Sequence, residues 1–163
     1  MTVLALSGSL RAGSSNAAIV RAAADLVTIE TFAIASLPHF SPDLDVDPLP
    51  SAVVELRAAV GRNHALLIAT PEYAHGMPGS LKNALDWLVS ATEPIGKPVL
   101  LIAASPGGAA HAHAQLTEVL RTMSLRVVDG GAHVFSRAKL DAAGNVADPA
   151  LLDALRAGLA QLR

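Results

Sequence analysis

Three short segments hold the residue types able to do chemistry in this chain. The first is Gly8-Ser9-Leu10-Arg11-Ala12-Gly13-Ser14-Ser15-Asn16, set between an apolar run and a helical one. Its glycines let the backbone turn sharply toward an anion, Ser9, Ser14, Ser15 and Asn16 offer hydrogen bonds, and Arg11 offers charge. The N-terminus of the following helix adds oriented N–H groups. That set suits a phosphate monoester. The spacing also matches a P-loop, but Ser14 stands where the lysine belongs, so the β- and γ-phosphates of a nucleoside triphosphate lose their main cation. The dinucleotide pattern G-x-G-x-x-G is absent. The alternative is that Ser14, Ser15 or Asn16 only cap the helix while the glycines turn the chain.

The second segment runs from Pro71-Glu72-Tyr73-Ala74-His75-Gly76 through Met77-Pro78-Gly79-Ser80-Leu81-Lys82-Asn83 to Asp86-Trp87. Prolines and glycines fix its path, and Tyr73 offers a flat surface on which a planar ring can stack. The third is Ser105-Pro106-Gly107-Gly108-Ala109-Ala110, whose small residues let backbone N–H groups approach a ligand, or simply make a tight strand–helix turn. His111 and His113 suggest a metal, but residues two apart on a helix point about 200° from each other and cannot share one ion. No metal site is therefore expected. No Gly-x-Ser-x-Gly elbow is present.

Composition narrows the chemistry. The 163 residues contain no cysteine, which excludes thiolate nucleophiles, disulfides and Cys-ligated metal centres, so redox work falls to a bound cofactor. A net charge of −2 without charged runs argues against nucleic acid or an anionic membrane as partner. The N-terminal run is too short for a signal peptide, and no apolar run approaches the ~20 residues of a membrane span, so a cytoplasmic protein is expected.

The elements that must position these loops are legible as periodicities. Thr2–Ser7, Val27–Ile34, Ala65–Thr70 and Pro98–Ala104 read as strands buried on both faces; Leu125–Val134 is a fifth, interrupted at Asp129-Gly130-Gly131. Between and after them lie five helical stripes, the last built on Leu151, Leu152, Leu155, Leu159 and Leu162. Alternation of this kind predicts one α/β domain over residues 1–163: a doubly wound, five-stranded parallel sheet with helices on both faces. Ligands of such sheets sit beyond the carboxyl ends of the strands, so the loops after the first, third and fourth strands matter most. Pro38–Pro50 reads as a surface loop. In the third helix Trp87 lies about 100° from the Leu81, Ala84, Leu85, Leu88 stripe, which suggests a second buried surface or a ring lying flat on its own domain. Lys82 and Asp86 are spaced to pair.

Gly8-Ser9-Leu10-Arg11 with Ser15-Asn16, together with Pro71-Glu72-Tyr73 and Pro78-Gly79-Leu81-Lys82-Asn83-Asp86-Trp87, resemble the NAD(P)H-dependent FMN reductases, a flavodoxin-like family that includes quinone, azo-dye and chromate reductases. The resemblance implies that Ser9, Arg11, Ser15 and Asn16, with Ser14 beside them, hold the FMN phosphate. It implies that Pro71, Glu72, Tyr73, Ala74, His75 and Gly76 border the isoalloxazine ring, partly through backbone groups. The turn carrying Ser105, Gly107 and Gly108 would face the polar flavin edge, where amide donors stabilise the negative charge of the reduced ring. His75 fills a variable position, so it is either a flavin or substrate contact or an exposed loop histidine. No protein residue is expected to be catalytic: hydride passes from NADPH or NADH via bound FMN to a small acceptor such as a quinone, free flavin, azo compound or metal oxyanion. The resemblance also implies a homodimer or homotetramer packed through the Pro78–Ser90 helix region. A flavodoxin-type electron carrier and a non-enzymatic phospholigand-binding protein are the alternatives; a carrier would be more acidic and richer in aromatics than this chain.

Overall fold

A computed structural model describes residues 1–11 and 13–163. Ala12 of the first loop lies outside the described residues. Among those described, five parallel strands form one sheet in the order β2-β1-β3-β4-β5. The strands are β1 (Thr2–Ser7), β2 (Thr28–Thr31), β3 (Ala65–Thr70), β4 (Pro98–Ser105) and β5 (Arg126–Val134). They alternate with α1 (Ser15–Ala24), α2 (Ser51–Arg62), α3 (Gly79–Asp86), α4 (Ala110–Thr122) and α5 (Pro149–Ala160). This is the flavodoxin-like arrangement expected, and its switch point falls between β1 and β3, where the chain reverses its direction across the sheet.

Strand residues alternate between two cores. Leu4, Leu6, Leu66, Ile68, Val99 and Leu101 pack beneath α2, α3 and α4. Val3, Ala5, Leu67, Leu100 and Ile102 face α1 and α5 on the opposite side. Burial on both faces explains the unbroken apolar runs in β1, β3 and β4.

Two expectations need correction, and a third, left open between two readings, is decided. β2 is shorter than predicted and, as an edge strand, is only half-buried, because one of its sides has no neighbouring strand. Asp129-Gly130-Gly131 does not interrupt β5. The strand continues through a register shift opposite Leu101 and Ala103, where a β-carbon on Gly130 would stand 2.7 Å from the Leu101 carbonyl oxygen. Trp87 serves no second surface: it is fully buried within the chain, donates from Nε1 to the Pro38 carbonyl (2.8 Å), and meets Phe40 edge-on at 5.1 Å. Its partner is the Pro38–Pro50 segment. Asn83 secures the same segment, accepting from the Phe40 N–H (2.7 Å) and donating to Pro38 (2.9 Å). Lys82 and Asp86 do pair. No helix among the described residues is long and apolar enough to cross a membrane.

Candidate functional site

A cleft of about 430 Å³ opens at the carboxyl ends of the strands, on the switch-point side of the sheet. The first loop supplies Ser9, Arg11, Ser14, Ser15 and Asn16 to its wall. The local structure follows from the sequence. Ser14 is the N-cap of α1, its hydroxyl accepting from the Asn16 N–H at 3.1 Å. A capping hydroxyl still has its own proton to donate, so the capping and ligand-binding readings are compatible. Ser9 is tied to Ser7, whose Oγ accepts the Ser9 N–H (3.3 Å) and donates to the Ser9 carbonyl (3.2 Å). Gly8 is needed for packing: a β-carbon there would lie 2.3 Å from Thr70 Oγ1, where the ends of β1 and β3 come together.

Asn16 is 3 % exposed and donates from Nδ2 to the Ala104 carbonyl (3.1 Å), tying α1 to the end of β4. Its Oδ1 is buried and has no hydrogen-bond partner among the described residues. Asn16 lines the cleft, but this oxygen lies behind the wall, out of contact with solvent.

The second loop divides its work. Pro71 and Tyr73 line the cleft, and Tyr73 is 54 % exposed. Tyr73 and Gly76 bond reciprocally, N–H to carbonyl, at 2.9 and 3.0 Å, closing a two-residue turn over Ala74 (φ 49°) and His75 (φ 58°). Two successive non-glycine residues in the left-handed region are strained, and that strain is characteristic of a site held by its surroundings. Glu72 turns toward α4, where it accepts the Ala112 N–H at 2.9 Å. Ala109, at the N-cap position of that helix, has no side chain to do this, so Glu72 caps α4 from another part of the chain. Gln115 accepts the Met77 N–H at 2.9 Å and holds the far end of the loop to the same helix. His75 stacks on His111 with ring centroids 4.3 Å apart.

From the third loop Ser105 and Pro106 line the cleft. Gly108 (φ 90°) gives its N–H to Ser105 at 3.0 Å, so amides offered to a ligand come from the other residues of the turn. His113 faces away from His111 and pairs with Asp129 at 2.9 Å.

A fourth wall escaped the sequence reading. Buried Phe135 donates its N–H to the Ser105 carbonyl (2.9 Å), and the segment that follows brings Ser136, Arg137 and Ala138 to the cleft. Arg137 Nη2 lies 3.5 Å from where a β-carbon on Gly13 would stand, so its guanidinium covers the first loop. Among the described residues no carboxylate pairs with Arg11 or Arg137. The available signal was a hydroxyl and two cations, Ser136-Arg137-Ala138-Lys139, directly after a strand.

Two guanidinium groups, three serine hydroxyls and a helix N-terminus on one side of the cleft suit a dianionic phosphate. A flat aromatic and a rigid turn on the other suit a planar ring. The residues present therefore fit a phosphorylated ligand with a planar head.

Comparisons with known proteins identify the family. The family model for NADPH-dependent FMN reductase matches residues 1–139. An NAD(P)H-dependent FMN reductase of Pseudomonas aeruginosa is 36% identical over 156 residues, covering 90% of this chain and 84% of that protein. A quinone reductase of Escherichia coli K12 is 33% identical over 139 residues, covering 79% and 74% of the two chains. Among solved structures, FerB, a flavoenzyme NAD(P)H:(acceptor) oxidoreductase from Paracoccus denitrificans, superposes with a TM-score of 0.86 at 29% identity, covering 99% of this chain and 96% of its own.

Proposed function

The chain belongs to the NADPH-dependent FMN reductase family, and we propose that the cleft at the strand ends is where it holds FMN. The protein is an oxidoreductase with FMN as cofactor, NAD(P)H as co-substrate and a small molecule as acceptor. Arg11 and Arg137, with Ser9, Ser14 and Ser15, would hold the phosphate. Asn16, which lines the same cleft, would help to hold the phosphate end. The Pro71–Gly76 loop and the Ser105–Gly108 turn border the isoalloxazine ring, Tyr73 through its face and the turn through its amides. The observation that carries this reading is the meeting of Arg11, Arg137 and the serines on one wall of one cleft.

Bound FMN supplies two-electron chemistry that no side chain of this cysteine-free chain provides. The protein's part is positioning and electrostatics. The arginines and α1 fix one end of the cofactor, so that the planar end lies where a nicotinamide and then an acceptor can reach it. The half-exposed Tyr73 leaves that approach open. With FMN bound, amides near the start of α4 would favour negative charge on its ring.

The reading extends to a single functional domain over residues 1–163 working in the cytoplasm, which fits an enzyme that draws on intracellular nicotinamide nucleotides. It also extends to a homodimer or homotetramer through the Pro78–Ser90 region. Support for the latter rests on exposed apolar residues. Val89 is 65 % exposed and Ser90, next to it, donates to Asp45 (2.6 Å), which is flanked by the exposed Leu44 and Val46. Titration of flavin-free protein with FMN and with riboflavin tests the cleft assignment. FMN should bind at least a hundredfold tighter; equal affinity would remove the phosphate from the account.

A further inference from the structure

We propose that Glu72, His75 and His111 form a site for a divalent transition metal of the Zn²⁺ type at the rim of the cleft. One carboxylate oxygen and one ring nitrogen from each histidine all lie within 4.8 Å of one another. Donors around a tetrahedral Zn²⁺ stand roughly 3.4 Å apart. Closing onto an ion therefore needs movements of about an ångström, within reach of side-chain rotation because both histidines are exposed.

The chain brings these groups together by long-range contacts that do not depend on a metal. The turn over Ala74 and His75 presents His75 to the first turn of α4, which carries His111. Glu72 is oriented by the Ala112 N–H, and Gln115 anchors Met77 one turn further along the helix. A carboxylate that accepts one N–H keeps further lone pairs, and such an outer bond is the usual way a metal-binding carboxylate is aimed. The two imidazoles are stacked at 4.3 Å and 16°. Imidazole lone pairs lie in the ring planes, so one ring must rotate out of the stack for both to meet one cation, a movement open to side chains as exposed as these.

Two nitrogens and one carboxylate make the donor set of open zinc sites, in which water takes the fourth position. The set is wrong for Ca²⁺ or Mg²⁺, which want six or more oxygens. His113 takes no part, being paired with Asp129. The partners of His111 come instead from the loop after β3, so the proposal departs from the sequence expectation of no metal site. An occupied site would fasten the Tyr73–Gly76 turn to α4 and so hold one border of the cleft.

Calorimetric titration of tag-free, FMN-loaded protein with ZnCl₂ is the test, with Co²⁺ as a second probe whose visible bands report tetrahedral nitrogen and oxygen ligation. One Zn²⁺ per chain is expected. His75→Ala and His111→Ala should each weaken binding at least tenfold. Glu72→Gln keeps the acceptor for Ala112 and should weaken it as well. His39→Ala, at an exposed histidine elsewhere, should leave affinity within twofold. Thermal melts by circular dichroism establish that each variant is folded. No saturable Zn²⁺ binding, or binding that survives both His75→Ala and His111→Ala in folded protein, overturns the proposal.

Discussion

Arg137 Nη2 stands 3.5 Å from the point a β-carbon on Gly13 would occupy, so a residue just past the last strand covers a loop that follows the first. The two ends of the parallel sheet's connectivity thus meet over one cleft, and the charge there is doubled. Arg137→Ala should weaken FMN binding about tenfold or more, the loss of a charge-assisted hydrogen bond worth ~1.5–3 kcal/mol. Riboflavin affinity should be unchanged. Fluorescence titration of both flavins distinguishes a phosphate contact from a general loosening, which would weaken both alike.

Gly8 is set by its neighbour on β3. A β-carbon would meet Thr70 Oγ1 at 2.3 Å and Thr70 Cβ at 2.9 Å. Gly8→Ala should cost about 1–3 kcal/mol as an overpacked contact. Adding Thr70→Ala, which removes the nearer atom, should recover part of the loss. Urea denaturation of the two single variants and the double variant measures the coupling.

Ala74 is held at φ 49° with His75 at 58°, a pair of conformations that two-residue hairpin turns normally give to Asn or Gly. Ala74→Gly relieves the steric cost but frees the unfolded chain, leaving a net gain of about 0.5–1 kcal/mol. A melting temperature that falls would show that the turn's conformation carries no strain.

Asp45 joins the Pro38–Pro50 segment to α2 and to the residues after α3. The Ser90 hydroxyl, and after it the Arg57 guanidinium (2.8 Å), hold its carboxyl below the usual value of 3.8 against the opposing effect of burial. A folded-state value below the unfolded one means that the unfolded chain binds more protons as pH falls. The contribution is complete above the unfolded value and disappears as pH drops through the folded one. Stability should therefore decline below about pH 4, and Asp45→Asn should flatten that decline as followed by melting temperature between pH 3 and pH 6.

Sequence reading worked where the physics is local or repetitive. β1 and β3 are buried on both faces, so their apolar runs mark their bounds to the residue. A cap for α1 was legible among Ser14, Ser15 and Asn16, and Ser14 is the one that fills it. It failed where a distant partner decides. Nothing near Trp87 shows that Phe40 and the Pro38 carbonyl will cover it. Glu72 belongs by sequence to a flavin-bordering loop, yet one of its oxygens caps a helix forty residues away, as the Glu72–Ala112 bond shows. Val27–Ile34 has the composition of a central strand, and only the sheet order makes it an edge. Arg137 was overlooked because the switch-point rule directs attention to central loops, while the cleft is closed from the sheet's far side.

The most direct test of the central claim is the visible spectrum of the purified protein with FMN, followed by NADPH without oxygen. One FMN should bind per chain, and the flavin's visible absorption should be lost on addition of NADPH and recover when a quinone is supplied. Arg11→Ala combined with Arg137→Ala should abolish the uptake of FMN. A colourless protein that takes up no flavin, or a double variant that binds FMN as tightly as the unaltered chain, would contradict it.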